Sequence, residues 1–316
     1  MLLKQVIEAF SLIDDAGISG EGVAARLWKV DPDAKIDVRT VKGTEGSTDF
    51  LKLFVPGSKG QAAGGHSRTL GIIGKLGGVG ARPEKIGAVS DADGAIVVIA
   101  LGLKLLDMQR KGDALQGDII ISTHICPRSP VMPHKPVPFM GSPVGMATMN
   151  EIELDERMDG ILSIDATKGN EIVNCNGFAI SPTVKEGYIL RVSEDLLVIM
   201  RQVTGRPPVT FPLSMADITP YGNGLDHINS IMQPSTATDS PVVGVATTSE
   251  AVIPGIGTGV NDPLALEAAA RYCLEVAKEY GNGSCNLYDE EEFRLMLKLY
   301  GAMRHLQTLP STEIRR

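Results

Sequence analysis

Residues 95–108 form a nearly unbroken apolar run, Ala95-Ile96-Val97-Val98-Ile99-Ala100-Leu101-Gly102-Leu103, closed by Leu105, Leu106 and Met108. It is too long for an ordinary strand and too short to cross a bilayer, so it predicts a helix covered on nearly every side. A chain carrying such a helix must lay other structure around it. Shortly afterwards comes Asp118-Ile119-Ile120-Ile121-Ser122-Thr123, which has almost no polar face. That pattern belongs to a strand buried on both sides.

Short apolar segments at 35–39, 52–55, 161–165, 188–192, 196–200 and 242–247 predict further strands. Helices are predicted at 1–16, from about 21 onward through Trp28, and at 263–280. Helices interleaved with buried strands predict an α/β fold: a three-layer sandwich with a mostly parallel mixed sheet flanked by helices. We expect one domain over residues 1–316. Asp289 suits the cap of a last helix at 289–307, with Phe293, Met296, Leu297, Tyr300 and Met303 on one stripe. That helix packs either on the core or at a subunit interface, and a homo-oligomer is expected.

Forty-three per cent of the residues are hydrophobic, ample for a buried core, and the net charge is −8 with no basic stripe. The electrostatic footprint of a nucleic-acid-binding protein is therefore absent. The N-terminal segment reads as an amphipathic helix and not as a signal peptide, and no run suits a membrane span. A cytoplasmic protein with no membrane partner is expected. The four cysteines, Cys126, Cys175, Cys273 and Cys285, show no CxxC spacing and are expected to be free thiols.

Two stretches resist assignment. Residues 69–80 are glycine-rich yet match neither dinucleotide-binding nor P-loop spacing, so turns of a hairpin are the expectation. Residues 125–145 carry many prolines and several methionines, and suit a pocket wall or an oligomer contact equally.

Polar residues recur where strands should end, and in open α/β sheets ligands bind at the carboxyl ends of strands. His66 follows a glycine loop, Asp91 and Asp93 precede the buried helix, and His124 and Asp165 close strands. Asp226 and His227 lie in a glycine-rich loop, and Asn261 precedes a helix. A mixed set of histidines and carboxylates suits a hydrolytic divalent metal such as Zn or Mn. Taken singly, each residue also has a plain structural role open to it. Asp91 or Asp93 can cap a helix, Asp165 can sit in a turn, and His124 can be a hydrogen-bonded core histidine.

In order and wording these segments resemble the co-catalytic zinc aminopeptidase and deacylase superfamily. The resemblance runs through Gly17-Ile18-Ser19-Gly20-Glu21, Gly64-Gly65-His66-Ser67-Arg68 and Val89-Ser90-Asp91-Ala92-Asp93-Gly94. It continues through Ser163-Ile164-Asp165-Ala166 and Tyr221-Gly222-Asn223-Gly224-Leu225-Asp226. The whole chain also resembles an uncharacterised bacterial domain-of-unknown-function family. The superfamily resemblance implies a metal-dependent hydrolase acting on a peptide or other amide bond of a small-molecule or short-peptide substrate. Its metal ligands would be His66, Asp91 and Asp165, with His227 a further candidate, and Arg68, Asp226 and Asn261 would meet substrate.

Two departures stand out. Arg68 occupies the place of an aspartate that orients the first histidine. Thr123-His124-Ile125-Cys126-Pro127 lacks the adjacent glutamates that supply a base and a ligand. His124 is left as the candidate for the missing catalytic role. The alternative is a non-catalytic, small-molecule-binding descendant of such an enzyme.

Overall fold

The computed structural model describes residues 1–44, 46–78, 87–129, 131–132, 139–167, 170, 172–251 and 261–309. Much of the proline- and methionine-rich loop lies outside the described residues. So do positions 79–80 of the glycine-rich stretch and residues 252–260 before Asn261.

Helices α1 (Leu3–Ile13) and α2 (Gly20–Trp28) lead into a hairpin of β1 (Lys35–Gly43) and β2 (Gly46–Val55). Next come β3 (Leu70–Gly78), α3 (Asp93–Arg110), β4 (Ile119–Cys126), the two-residue strands β5 (Val131–Met132) and β6 (Phe139–Met140), and α4 (Met146–Glu153). The chain continues through β7 (Gly160–Ala166), β8 (Gly177–Ile180), β9 (Val184–Lys185), β10 (Tyr188–Ile189) and α5 (Glu194–Thr204). It closes with β11 (Val242–Thr248), α6 (Pro263–Asn282) and α7 (Glu290–Tyr300). Ser19, Asp262 and Asp289 cap α2, α6 and α7 by accepting from the Gly22, Leu264 and Glu292 amides.

Among the described residues, nine strands form one sheet in the order β1-β2-β4-β3-β7-β11-β9-β10, with β8 also paired to β11. The centre, β4-β3-β7-β11, is parallel, whereas β2, β8 and β9 join it antiparallel. This is the expected α/β architecture with a mostly parallel mixed sheet. The parallel strands begin with β3. The next one, β4, lies on one side of it, and the one after, β7, lies on the other. Strand order therefore reverses at β3, and the crevice beyond its carboxyl end is the place where such sheets bind ligands.

Strict alternation explains why these strands read as wholly apolar. Leu70, Ile72, Ile119, Ile121, Leu162, Ile164, Val243 and Val245 face a core built with α1, α2, α3, α5 and α6. Ile73, Ile120, Ile161, Val242 and Ala246 face the opposite way, toward Met158, Phe211, Ile231 and Met232. No described helix is long and apolar enough to cross a membrane.

Three local expectations are corrected. The glycine-rich stretch is not a set of hairpin turns, because residues 70–78 are the pivotal parallel strand β3. Its glycines serve close packing. A Cβ at Gly74 would come within 2.4 Å of the Gly94 carbonyl oxygen, and one at Gly71 within 2.4 Å of the Met158 sulfur. Residues 196–200 are helix and not strand. The buried residues of α5 are Leu196, Ile199, Met200 and Val203, spaced at three and four residues as one face of a helix requires. The last helix ends at Tyr300, where Gly301 follows with a positive φ, and Arg304–Gln307 forms a separate 3-10 turn. Only Phe293 of its stripe is buried.

Candidate active site

The alternation of β3, β4 and β7 decides which polar residues meet. Lys75, His124 and Asp165 share parity with Ile73, Ile120 and Ile161, so all three leave the sheet on the face away from α3 and near its carboxyl edge. The β3–β4 register slips between Gly74 and Gly77, which places a β-bulge at Lys75 opposite His124. Bulges commonly re-aim a side chain beside a functional site.

Glu153, the last residue of α4, completes the cluster. Its Oε1 lies 2.8 Å from His124 Nδ1 and its Oε2 accepts from Lys75 Nζ at 2.5 Å. All three side chains are at most 3% exposed. Burial pushes the Glu153 carboxyl up, but the Lys75 ammonium and His124 more than offset this and hold it below its ordinary value. Phe50 lies across from His124, with ring centroids 5.4 Å apart.

His124 Nε2 is buried and has no hydrogen-bond partner among the described residues. It belongs to the wall of a cavity of about 170 Å³ that Lys75, Asp165, Tyr221 and Ser230 also line, with Met140, Val144, Met146 and Met149 as the apolar wall. Asp165 accepts from its neighbour's Ala166 amide at 2.7 Å and from Ser230 Oγ at 3.2 Å. Burial nevertheless raises its carboxyl to about 6. The segment holding Tyr221 and Ser230 is organised by buried Asp217, which accepts from the amides of Ser214, Ile228 and Asn229. Gln233 ties it to α4, accepting from Asn150 Nδ2 through its backbone carbonyl. The cleft thus pairs an oriented imidazole with a carboxyl that burial raises to about 6, beside an apolar recess.

The remaining sequence candidates are dispersed. Half-buried Asp91 lies in a 3-10 turn, Ser90–Ala92, packed on β3 and β7 at the carboxyl edge. Asp93 is buried on the helix-covered face, accepting from Thr247 Oγ1 at 2.7 Å and Asn261 Nδ2 at 2.6 Å. Asn261 Nδ2 also donates to the Val89 carbonyl, so both its donors are committed to holding the start of α3. His227 has both ring nitrogens against backbone carbonyls of its own loop, those of Leu225 and Thr219, and Asp226 beside it is exposed.

His66 is exposed in the loop before β3, at the amino edge of the parallel strands, while Asp165 ends β7 at the carboxyl edge. The two cannot share an ion, because most of a strand's length separates them. Arg68 is at the same amino edge. Its guanidinium donates to Asn286 Oδ1 and the Cys285 carbonyl and stacks 4.1 Å over the Tyr280 ring. It clasps the end of α6 and does not reach the cleft.

Among the described residues no group of three or more His, Cys, Asp or Glu side chains could hold a metal ion. The carboxylate nearest His124 is already spent on Lys75, and Asp93 on Thr247 and Asn261. The donor set described here does not fit the resident Zn or Mn that the sequence resemblance implied. Cys126, two residues from His124, is buried and its thiol is pushed up by burial, which suits packing better than nucleophilic attack.

Lys75, Glu153, Tyr221 and Ser230 escaped sequence reasoning. A lone lysine inside a glycine- and isoleucine-rich strand was the one visible signal. Nothing local marks Glu153, which ends a helix absent from the predicted elements.

The chain adopts a fold similar to several solved structures. The bottromycin maturation enzyme BotP matches with a TM-score of 0.51 and 14% identity, covering 86% of this chain and 69% of its own. Cytosol aminopeptidase from Coxiella burnetii and the aminopeptidase LapA of Legionella pneumophila each match with a TM-score of 0.52 and 12% identity, covering 88% of this chain and 70% of theirs. At such identities the likeness shows the fold alone. No curated protein sequence matches the chain. The family model that matches spans residues 39–310, and the chain belongs to that family, the proteins of unknown function grouped as DUF1177.

Proposed function

We propose that this protein is a hydrolase acting on a peptide or other amide bond of a small substrate, with His124 as general base. The observation that carries this reading is the His124 imidazole. Its Nδ1 is held by buried Glu153, and its Nε2, at the wall of the cavity, has no partner among the described residues. A carboxylate on one ring nitrogen sets the tautomer and orientation, leaving the other to take a proton. The likeness of the fold to two aminopeptidases supports the substrate class.

In this scheme Nε2 takes a proton from water as its oxygen attacks the amide carbon. Asp165, raised to about 6, gives its proton to the departing nitrogen as the C–N bond breaks. Amide and water become acid and amine, and proton exchange with solvent resets both groups. Turnover then declines as pH rises past about 6, where Asp165 loses its proton.

The test is turnover of short peptides and N-acyl amino acids by the purified chain and by His124→Asn. The substitution should lower kcat by about 100-fold or more, the usual share of a general base. A wild-type protein inert across the panel, or a His124→Asn variant as active as its parent, would sink the proposal. The apolar wall of Met140, Val144, Met146 and Met149 also favours a second reading, a binding protein without turnover. Saturable binding of a panel member that is never cleaved would select it.

A further inference from the structure

We infer that the buried Lys75 ammonium is the resident cation of this cleft, the group that meets the carbonyl or carboxylate oxygen of the ligand, so that the cleft needs no bound divalent ion. The inference rests on placing the ligand in the same cavity as the proposed function does, but it stands on different atoms.

Lys75 is 3% exposed, deep enough that its charge must be compensated, and Glu153 at 2.5 Å compensates it. An ammonium has three donors, and Glu153 is its one hydrogen-bonding acceptor among the described residues. Lys75 nevertheless lines the cavity together with Asp165 and the unpartnered His124 Nε2. A buried donor with unused capacity at a cavity wall is costly unless something fills it. The complementary filler is an oxygen acceptor, neutral or anionic.

The bulge in β3 supports the same assignment. It turns Lys75 out of register at the strand where the sheet order reverses, and α3 lies so close that a Cβ on Gly94 would come within 2.6 Å of the Lys75 carbonyl oxygen and 2.8 Å of its amide nitrogen. The lysine is thereby fixed at the floor of the crevice. The acidic groups around it are also distributed as a lysine-centred site requires. Glu153 neutralises Lys75, Asp165 is left largely desolvated within its field, and Asp93, whose charge still reaches Asp165, is hydrogen-bonded on the other face to Thr247 and Asn261. No three of these groups converge to surround an ion.

The ligand class follows from size and polarity. A cavity of about 170 Å³ is close to the scale of about 150 Å³ at which an apolar pocket accepts benzene. One oxygen acceptor for Lys75 and a compact apolar body against the methionines describe a small carboxylate or acyl amide.

Benzoate is a probe of that shape. Three measurements on the full chain decide the matter: metal content after gel filtration, melting temperature with chelator or with added Zn or Mn, and benzoate affinity by calorimetry. The expected result is substoichiometric metal, a melting temperature indifferent to chelator and to both ions, and saturable benzoate binding. Lys75→Met should weaken that binding by about 10- to 100-fold, the range for a hydrogen bond to a charged group. Because Lys75→Met strands a buried carboxylate and can unfold the chain, Lys75→Met with Glu153→Gln removes both charges and should lose benzoate equally. Stoichiometric Zn or Mn, a melting temperature that falls on chelation, wild-type protein that ignores benzoate, or a folded double variant that binds it unchanged would each overturn the inference. A chain that binds benzoate without metal yet cleaves no amide leaves this inference standing and removes the hydrolase reading, so the two fail separately.

Discussion

Asp165 shows most directly how function and stability compete at a single residue. Its carboxyl titrates at about 6 because it is buried beside the cavity, against an ordinary value near 3.9. A carboxyl raised by folding holds its proton more tightly in the folded chain than in the unfolded one. Its contribution therefore favours the fold at low pH and is lost as pH climbs from about 4 through about 6. Two units correspond to roughly 3 kcal/mol at neutrality and above. Asp165→Asn keeps an oxygen for the Ala166 amide and removes the buried charge. It should stabilise the protein by up to about 3 kcal/mol near pH 8 and by little near pH 4, while lowering turnover. Melting curves of both proteins at the two pH values check this, and an equal gain at both would contradict the buried-charge account. At this scale the sequence marked Asp165 and His124 through their places at the ends of apolar runs. Lys75 was visible only as a lone lysine in an apolar run and Glu153 not at all, because a buried ion pair is recognisable only once both partners are in place.

The site depends on how closely α3 lies against β3 and β7. A Cβ on Gly94 would come within 2.5 Å of the Ile164 carbonyl oxygen, 2.6 Å of the Lys75 carbonyl oxygen and 2.8 Å of the Lys75 amide nitrogen. All three are backbone atoms that cannot swing aside. Gly94→Ala should therefore push the helix off both strands, costing about 3 kcal/mol or more, well above the ordinary range for a surface change. Urea denaturation measures it, and a loss below about 1 kcal/mol would show that the helix adjusts freely. Gly71 and Gly74 explain the misreading of β3 in the same way. Glycine inside a run usually signals a turn, but here it marks backbone approaching backbone or a large side chain. The reverse happened at α5. Leu196-Leu197-Val198-Ile199-Met200 reads as a strand until tertiary packing shows Leu196, Ile199, Met200 and Val203 turned to one side.

Across the whole molecule, the two apolar layers are halves of one object. The cluster packed with α1, α3 and α6 and the cluster around Phe211 and Met232 draw alternate residues from the same strands. Neither layer retains a sheet if the other melts, so they should unfold together. Far-ultraviolet circular dichroism and tyrosine fluorescence should trace one coincident urea transition. Two separated transitions would divide the chain into independent domains.

The sequence by itself determined the class of the fold. Burial on both faces leaves strands apolar, and burial all round leaves α3 apolar. It also determined that polar residues close several of the strands. Only the tertiary structure decided which edge of the sheet each of them occupies. His66 and Asp165 both border strands, yet strand direction sets them at opposite edges, and Arg68 goes with His66 to brace α6. Glu153 meets His124 across 29 residues and Lys75 across 78. No local pattern encodes such a meeting, because it follows from strand order, from the bulge at Lys75 and from the side of the sheet on which α4 ends.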